Sequence, residues 1–387
     1  CEAVTGLENC QTILETLEHA NLFIVPLDDE RCWYRYHHLF TDLLRNRLDV
    51  LQPELVPALH RRASAWYEAE DSISEAITHS LAAKDWEKAA QLIEQTMNEM
   101  MGRGEFFTTM LERLKSLPPE MIRARPHFAI SYAWLLSITL QLDAVEPRLQ
   151  EIERIAGGQL PDDIRLEITV IRAALSRQRR DADTALEPAN RVLEALPVDP
   201  ADDNPLQRET RNGVAFNLAE TYLLLRGDVE RARKRYREAL AISREANSLT
   251  LILVSTGGLA QVQTLTGQLR QAAATYRQGL QLATDAARQG GQAVPAAAYL
   301  ELGLGNLLRE WNQLGDAAHH LAQGVDLCQQ WQMGDSLCDG YIFLARLKQS
   351  QGDIDGALAA LEQAGQLPEA CRTVPRFGGP IAACRAE

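Results

Sequence analysis

Ala260-Gln-Val-Gln-Thr-Leu-Thr-Gly267-Gln-Leu-Arg-Gln-Ala272-Ala-Ala-Thr-Tyr276-Arg-Gln-Gly279 carries the pattern from which the rest of the chain is read. A small residue, Ala260, is followed twelve positions later by another, Ala272, then by an aromatic at +4 and a small residue at +7. Spacings of four and seven put residues on one face of a helix. Gly267 between them is a left-handed stop, because a Cβ costs energy in that conformation. The stretch therefore reads as a helix, a tight turn and a second helix.

The same arrangement occurs six times. The pairs are Ala133 and Val145, Ala173 and Ala185, Ala219 and Ala232, Ala260 and Ala272, Gly305 and Ala317, Ala345 and Ala357. Successive second members lie 40, 47, 40, 45 and 40 residues apart. The spacing within a pair is 12 everywhere except 13 in the third. Two amphipathic helices repeating at this period predict an all-α solenoid. In such a chain function resides in a binding surface before it resides in a catalytic centre.

The remaining sequence falls outside that pattern. Residues 1–50 carry a helical run from Leu7 to Leu17, then an alternating, β-branched stretch from Asn21 to Leu27. Asp28-Asp29-Glu30 supplies a turn and Cys32 to Tyr36 a second strand, with helix resuming at His37 and running to Leu48. Helix, hairpin and helix predict a small winged-helix-like unit with one β-hairpin. Residues 51–125 read as linking helical hairpins, with turns at Asp71-Ser72 and Lys84-Asp85 and a bridge rich in Gly and Pro from Gly102 to Pro126. Residues 126–387 hold the six units. Breakers gather between units at Gly157-Gly158, Pro197 to Pro205 and Gly290-Gly291. Gly227, Gly267 and Gly352 mark turns within units. A last helical start is expected at Ile381 to Cys384, after Pro368, Pro375 and Pro380.

Composition narrows the function. Of 387 residues, 46% are hydrophobic, enough for a core, and the formal charge of −14 argues against a nucleic-acid grip, which needs clustered Lys and Arg. Seven cysteines, at 1, 10, 32, 328, 338, 371 and 384, are odd in number and without a Cys-x-x-Cys. They are expected to be reduced thiols of a cytoplasmic protein. No apolar run nears the ~18 residues of a membrane span. The chain starts at Cys1 inside a helical pattern and ends at Glu387 without a stop signal, so it is expected to be a piece of something larger.

Catalytic and metal constellations are weak. No Gly-Lys pair exists, which excludes a P-loop, and Gly303-Leu-Gly305 sits within a helix with no strand before it. His37-His38 and His319-His320 are sequence neighbours and point about 100° apart on a helix. His60 and His79 lie on different helices and could meet in the fold. No metal is expected. Ser131 and Ser255 have no evident His partner, and Arg231-Ala-Arg-Lys-Arg235 reads as a solvated face. The inner wall remains. The residue after each first small slot should face inward: Trp134, Ala174, Glu220, Gln261, Asn306 and Arg346, with Thr264, Arg309 and Gln349 one turn further on. Such a polar lining suits a small polar ligand or a peptide.

Two segments resemble a known family. His60-Arg-Arg-Ala-Ser-Ala-Trp-Tyr67, Glu75-Ala-Ile-Thr-His-Ser-Leu-Ala-Ala83 and Asp85-Trp-Glu-Lys-Ala-Ala90 are similar to the helical linker of MalT-type ATP-dependent LuxR-family transcriptional regulators. Asn21 to Val25, Tyr36-His37-His38-Leu39-Phe40 and Leu43-Leu44-Arg45 resemble their winged helix, and Trp311-Asn312 with Leu314 to Leu321 one of their repeats. The resemblance implies a tetratricopeptide-like superhelix that senses a small-molecule inducer or a regulatory protein, within an activator that self-associates. It implies that ATP binds a STAND module and DNA a helix-turn-helix, neither of which lies in this sequence. The segment itself would need no cofactor, catalyse nothing and touch neither nucleic acid nor membrane. The competing expectation is a stand-alone tetratricopeptide-like scaffold for protein partners.

Overall fold

The computed structural model describes residues 1–367 except 30, 32, 104–106, 140, 158–159, 197–204, 291–292 and 332. The expected helix at 381–384 and most of the breaker loop at 197–205 lie outside the described residues. The chain divides into two compact units. One comprises Cys1–Met97 with Arg113–Ile122, the other Asn98–Glu112 with the chain from Arg123 onward.

The first unit opens with helices α1 (Glu2–Thr5) and α2 (Cys10–His19), strands β1 (Ile24–Pro26) and β2 (Tyr34–Tyr36), and α3 (His38–Leu51). The strands pair antiparallel with Val25 opposite Arg35. Alternation along β1 buries Ile24 and leaves Val25 outside, as the two-residue side-chain period of a strand requires. Phe23, Tyr36 and Phe40 tie the hairpin to α3, with ring centroids 5.1 and 5.8 Å apart. Next come α4 (Leu55–Ala69) and α5 (Ile73–Ala82), joined at Asp71, whose φ is +57°. Ser64 Oγ, buried in their interface, donates to the carbonyl of Ala76 at 2.8 Å. Helices α6 (Trp86–Arg103), α7 (Phe107–Lys115) and α8 (Pro119–Arg123) run through the boundary between units.

The second unit contains six helical hairpins. They are α9 (Pro126–Ile138) with α10 (Leu142–Ala156), α11 (Asp162–Gln178) with α12 (Ala182–Ala195), α13 (Pro205–Thr221) with α14 (Val229–Glu245), α15 (Leu249–Leu265) with α16 (Leu269–Gly290), α17 (Ala297–Glu310) with α18 (Leu314–Gln330), and α19 (Gly334–Ser350) with α20 (Ile354–Gln366). All twelve small-slot residues are buried. The third pair, with its extra residue, contains a π-helical turn at Tyr222–Arg226 that absorbs the insertion.

Left-handed residues close the turns within units: Gly227, Gly267 and Gly352 as expected, but also Arg180 and Asn312. In three of these turns the next residue, Asp181, Asp228 or Asp353, caps the following helix by accepting a backbone N–H at 2.9–3.1 Å. That bond is the largest influence holding the Asp353 carboxyl below its usual range. Each first helix packs on the first helix of the next unit. Among the described residues, no pair of second helices packs to a comparable extent. The first helices therefore form one continuous inner row of the stack.

Two glycines of that row admit a tyrosine from an outer helix. The Tyr236 ring of α14 crosses Gly258, and the Tyr276 ring of α16 crosses Gly303. A Cβ on Gly303 would stand 2.5 Å from the Tyr276 ring carbons. Gly303→Ala should therefore cost about 1–3 kcal/mol in urea unfolding. Gly315→Ala, where a Cβ meets nothing within 4 Å, should cost nothing. Equal effects of the two would refute the threading of Tyr276.

Candidate functional site

The inner row carries polar side chains on helices that also supply much of the apolar core, and several of those polar side chains are buried. On α9 the Ser137 hydroxyl donates to Gln178 Oε1 at 3.0 Å, and the Gln178 amide returns a bond to the Ser137 carbonyl at 3.1 Å. On α11 Arg177 lies at 8% exposure, with Nε 3.4 Å from Asn217 Oδ1 and an outer nitrogen 4.0 Å from the Glu220 carboxylate. Tyr236 completes the group by donating its hydroxyl to Glu220 Oε1 at 2.5 Å. Four elements thus converge on one buried polar knot: α11, α13, α14 and, through Gly258, α15.

The residues read from sequence occupy this row unevenly. Trp134 is half-buried against the apolar cluster of the second and third units. Ala174 and Gln261 are buried. Glu220 is 3% exposed, which places its carboxylate within the wall, where it joins α13 to α14. Thr264 is half-buried, and its hydroxyl donates to the Ala260 carbonyl at 2.9 Å and also bonds the buried Tyr276 phenol. Burial pushes that phenol well above its ordinary range. Asn306 and Arg309 hold each other at 3.2 Å, with Arg309 also against Glu310. Arg346 is half-buried and Gln349 exposed.

Arg177, Asn217, Ser137 and Gln178 join the row without being among the residues expected from sequence. Arg177 and Ser137 stand four residues after their small slots, as Thr264 and Arg309 do, so the same rule applied to every unit finds them. Asn217 precedes its slot by two and is visible only in three dimensions. The basic run on α14 is less solvated than expected. Arg235 bonds Glu238 at 2.9 Å and reaches Asn190 of α12 at 3.2 Å, and Arg231 lies over the Tyr222 ring.

Outside the inner row, Arg172 of α11 is clamped between Glu146 and Glu153 of α10 at 2.7 and 2.8 Å. The hydrogen bonds from Arg172 hold the Glu146 carboxyl below its usual range. His320 Nδ1 lies 2.6 Å from Glu301, and the adjacent His319 ring is turned 62° from it. Among the described residues, no group of three or more His, Cys, Asp or Glu is arranged to hold a metal. None of the described helices is long and apolar enough to cross a membrane. An open hollow of about 810 Å³ lies at the turn ends of the fourth and fifth units, lined by Gly267 to Gln271 and Trp311.

Comparison with known proteins matches two stretches to family models, the MalT winged helix domain over residues 1–56 and the MalT-like TPR region over 167–377. The serine/threonine-protein kinase PknK of Mycobacterium tuberculosis is 28% identical, covering 99% of this chain and 33% of the kinase. The HTH-type transcriptional regulator MalT of Cronobacter sakazakii is 27% identical, covering 93% of this chain and 38% of the regulator. The chain thus spans about a third of the length of these relatives. Among solved structures, NprR in complex with its cognate peptide NprX shares the fold, with a TM-score of 0.52 at 16% identity over 84% of this chain and 88% of NprR.

The knot makes a direct stability prediction. Tyr236→Phe removes the hydroxyl and leaves a buried carboxylate short of a donor, which should cost about 1.5–3 kcal/mol in chemical denaturation. A loss below half a kcal/mol would show that the bond contributes nothing to holding α13 on α14.

Proposed function

The chain belongs to the MalT-like family, and from that premise we propose that it is the sensing region of a longer bacterial regulator. The inner row of the solenoid takes the signal, either a small-molecule inducer or a regulatory protein. Occupancy biases the whole protein toward self-association. The observation that supports this most is the inner row itself: hydrogen-bonding side chains presented by consecutive first helices, in a chain that also carries the winged helix.

The two relatives add a second support. One is named a kinase and the other a transcriptional regulator, and both contain nearly this entire segment. A region common to proteins of different output suits a part that senses rather than one that executes. In this reading ATP binding, DNA contact and any catalysis belong to other parts of the longer cytoplasmic protein. A scaffold for peptide or protein partners is the second reading. It is favoured by the likeness to NprR, whose structure holds a peptide.

A ligand can shift a balance only by its different affinity for the two forms. The test is a thermal-shift screen of this chain against a metabolite panel. A ligand at one hundred times its Kd should add about 2.7 kcal/mol of stability. Trp134→Ala and Asn306→Ala, both half-buried on the row, should lower the response at least tenfold. Light scattering of the full-length protein should show ligand-dependent assembly. If no metabolite stabilises the chain but a partner protein does, the scaffold reading replaces the sensor.

A further inference from the structure

The α4–α5 hairpin of the first unit contains a contact that the proposed function does not use. His60 Nδ1 on α4 lies 2.8 Å from His79 Nδ1 on α5, and both rings are half-buried. Tyr67 stacks on His79, with centroids 5.3 Å apart and planes 11° from parallel, and Trp66 meets the Tyr67 ring edge-on at 4.9 Å. Four rings therefore gather on the hairpin, and the imidazole pair is a polar link between side chains of its two helices.

The chemistry of the pair sets its response to protons. A neutral imidazole carries hydrogen on one ring nitrogen and a lone pair on the other. At 2.8 Å one Nδ1 must be the donor and the other the acceptor. One added proton is tolerated, because a cationic ring can still donate its Nδ1–H to a neutral neighbour. Two are not, because both Nδ1 atoms would then carry hydrogens aimed at each other, on two like charges.

We infer that His60 and His79 form a proton-operated latch, which holds α4 against α5 until both rings are charged and then releases the hairpin. The charged groups acting on the pair are Arg45 and Asp49 of α3 and Glu75 of α5. Burial lowers the pKa of both rings from 6.5. Arg45 lowers both further and His60 lowers His79, while Asp49 and Glu75 oppose the shift. The sign follows from linkage: the folded state binds these protons more weakly than the unfolded chain. The stabilisation is complete above pH 6.5 and is lost as pH falls through the folded values. Two interacting rings release their protons in two steps that belong to the pair.

The experiment is a titration of the histidine ring resonances in the whole chain, with hydrogen exchange of the α4 and α5 amides at pH 7.5 and at a pH below both ring titrations. Both rings should titrate below 6.5. The His79 titration should move upward in His60→Asn. After correction for intrinsic exchange, acidification should cut protection of α4 and α5 at least tenfold in the natural chain and leave His60→Asn unchanged between the two pH values. The latch is overturned if His79 titrates identically with and without His60. It is equally overturned if the natural protein keeps full protection at the lower pH. Neither outcome bears on ligand sensing, which is read in the other unit.

Discussion

Close approach of small residues on neighbouring helices is the constraint on which the solenoid depends. Where Gly258 and Gly303 stand in the inner row, an outer tyrosine fills the missing side-chain volume, and its hydroxyl arrives at the inner wall. The ring occupies the gap between one inner helix and the next, so it fixes their separation as well as their tilt. The inner helices touch one another, and among the described residues the outer ones do not pack comparably.

The polarity of the inner row carries an energetic cost which apolar packing would avoid. Arg177, Asn217 and Glu220 are all at least nine-tenths buried, and charges taken out of water need good partners to break even. The Tyr236 hydroxyl provides one for Glu220, in the same role that Thr264 and Tyr276 play one unit later in neutral form. Two adjacent units thus solve one geometric problem with different chemistry. The third unit uses a carboxylate where the fourth uses a threonine, and the carboxylate lies beside the π-helical turn that accommodates the inserted residue.

How much of this was legible in sequence follows from what each element depends on. The small slots and their period are local and repeat, so the six hairpins, the wing and the glycine turns could be read directly. Even the 13-residue spacing in the third pair announced an irregularity, although its resolution as a π-helical turn needed coordinates. Arg180 and Asn312 were not legible as left-handed residues, because side-chain chemistry disfavours the conformation only mildly and tertiary packing decides it. The inner row was half legible. Slot arithmetic finds which residues face inward, yet it says nothing of depth, so Glu220 and Gln349 look alike in sequence while one is buried and the other exposed. The meeting of His60 with His79 followed from the antiparallel pairing of two helices across a short turn. Its distance and the stacked Tyr67 did not.

Stability in a repeat stack is close to a sum of terms within units and between neighbours, so influence passes from one unit to the next only through shared contacts. Tyr236 is such a contact: its helix belongs to the third unit, its ring lies against Gly258 of the fourth, and its hydroxyl ends on the inner wall. A guest that displaced Glu220 from this hydroxyl would change the third unit's internal packing and its seat on the fourth in one step. A guest touching only Gln349, exposed near the end of α19, would have no comparable purchase on its neighbours. Coupling between groove and stack is therefore concentrated where the wall is most buried, even though that is where a ligand has least direct access. The half-buried positions on either side, Trp134 and Asn306, are the ones that can meet a ligand while still packing on the inner helices that continue to the knot.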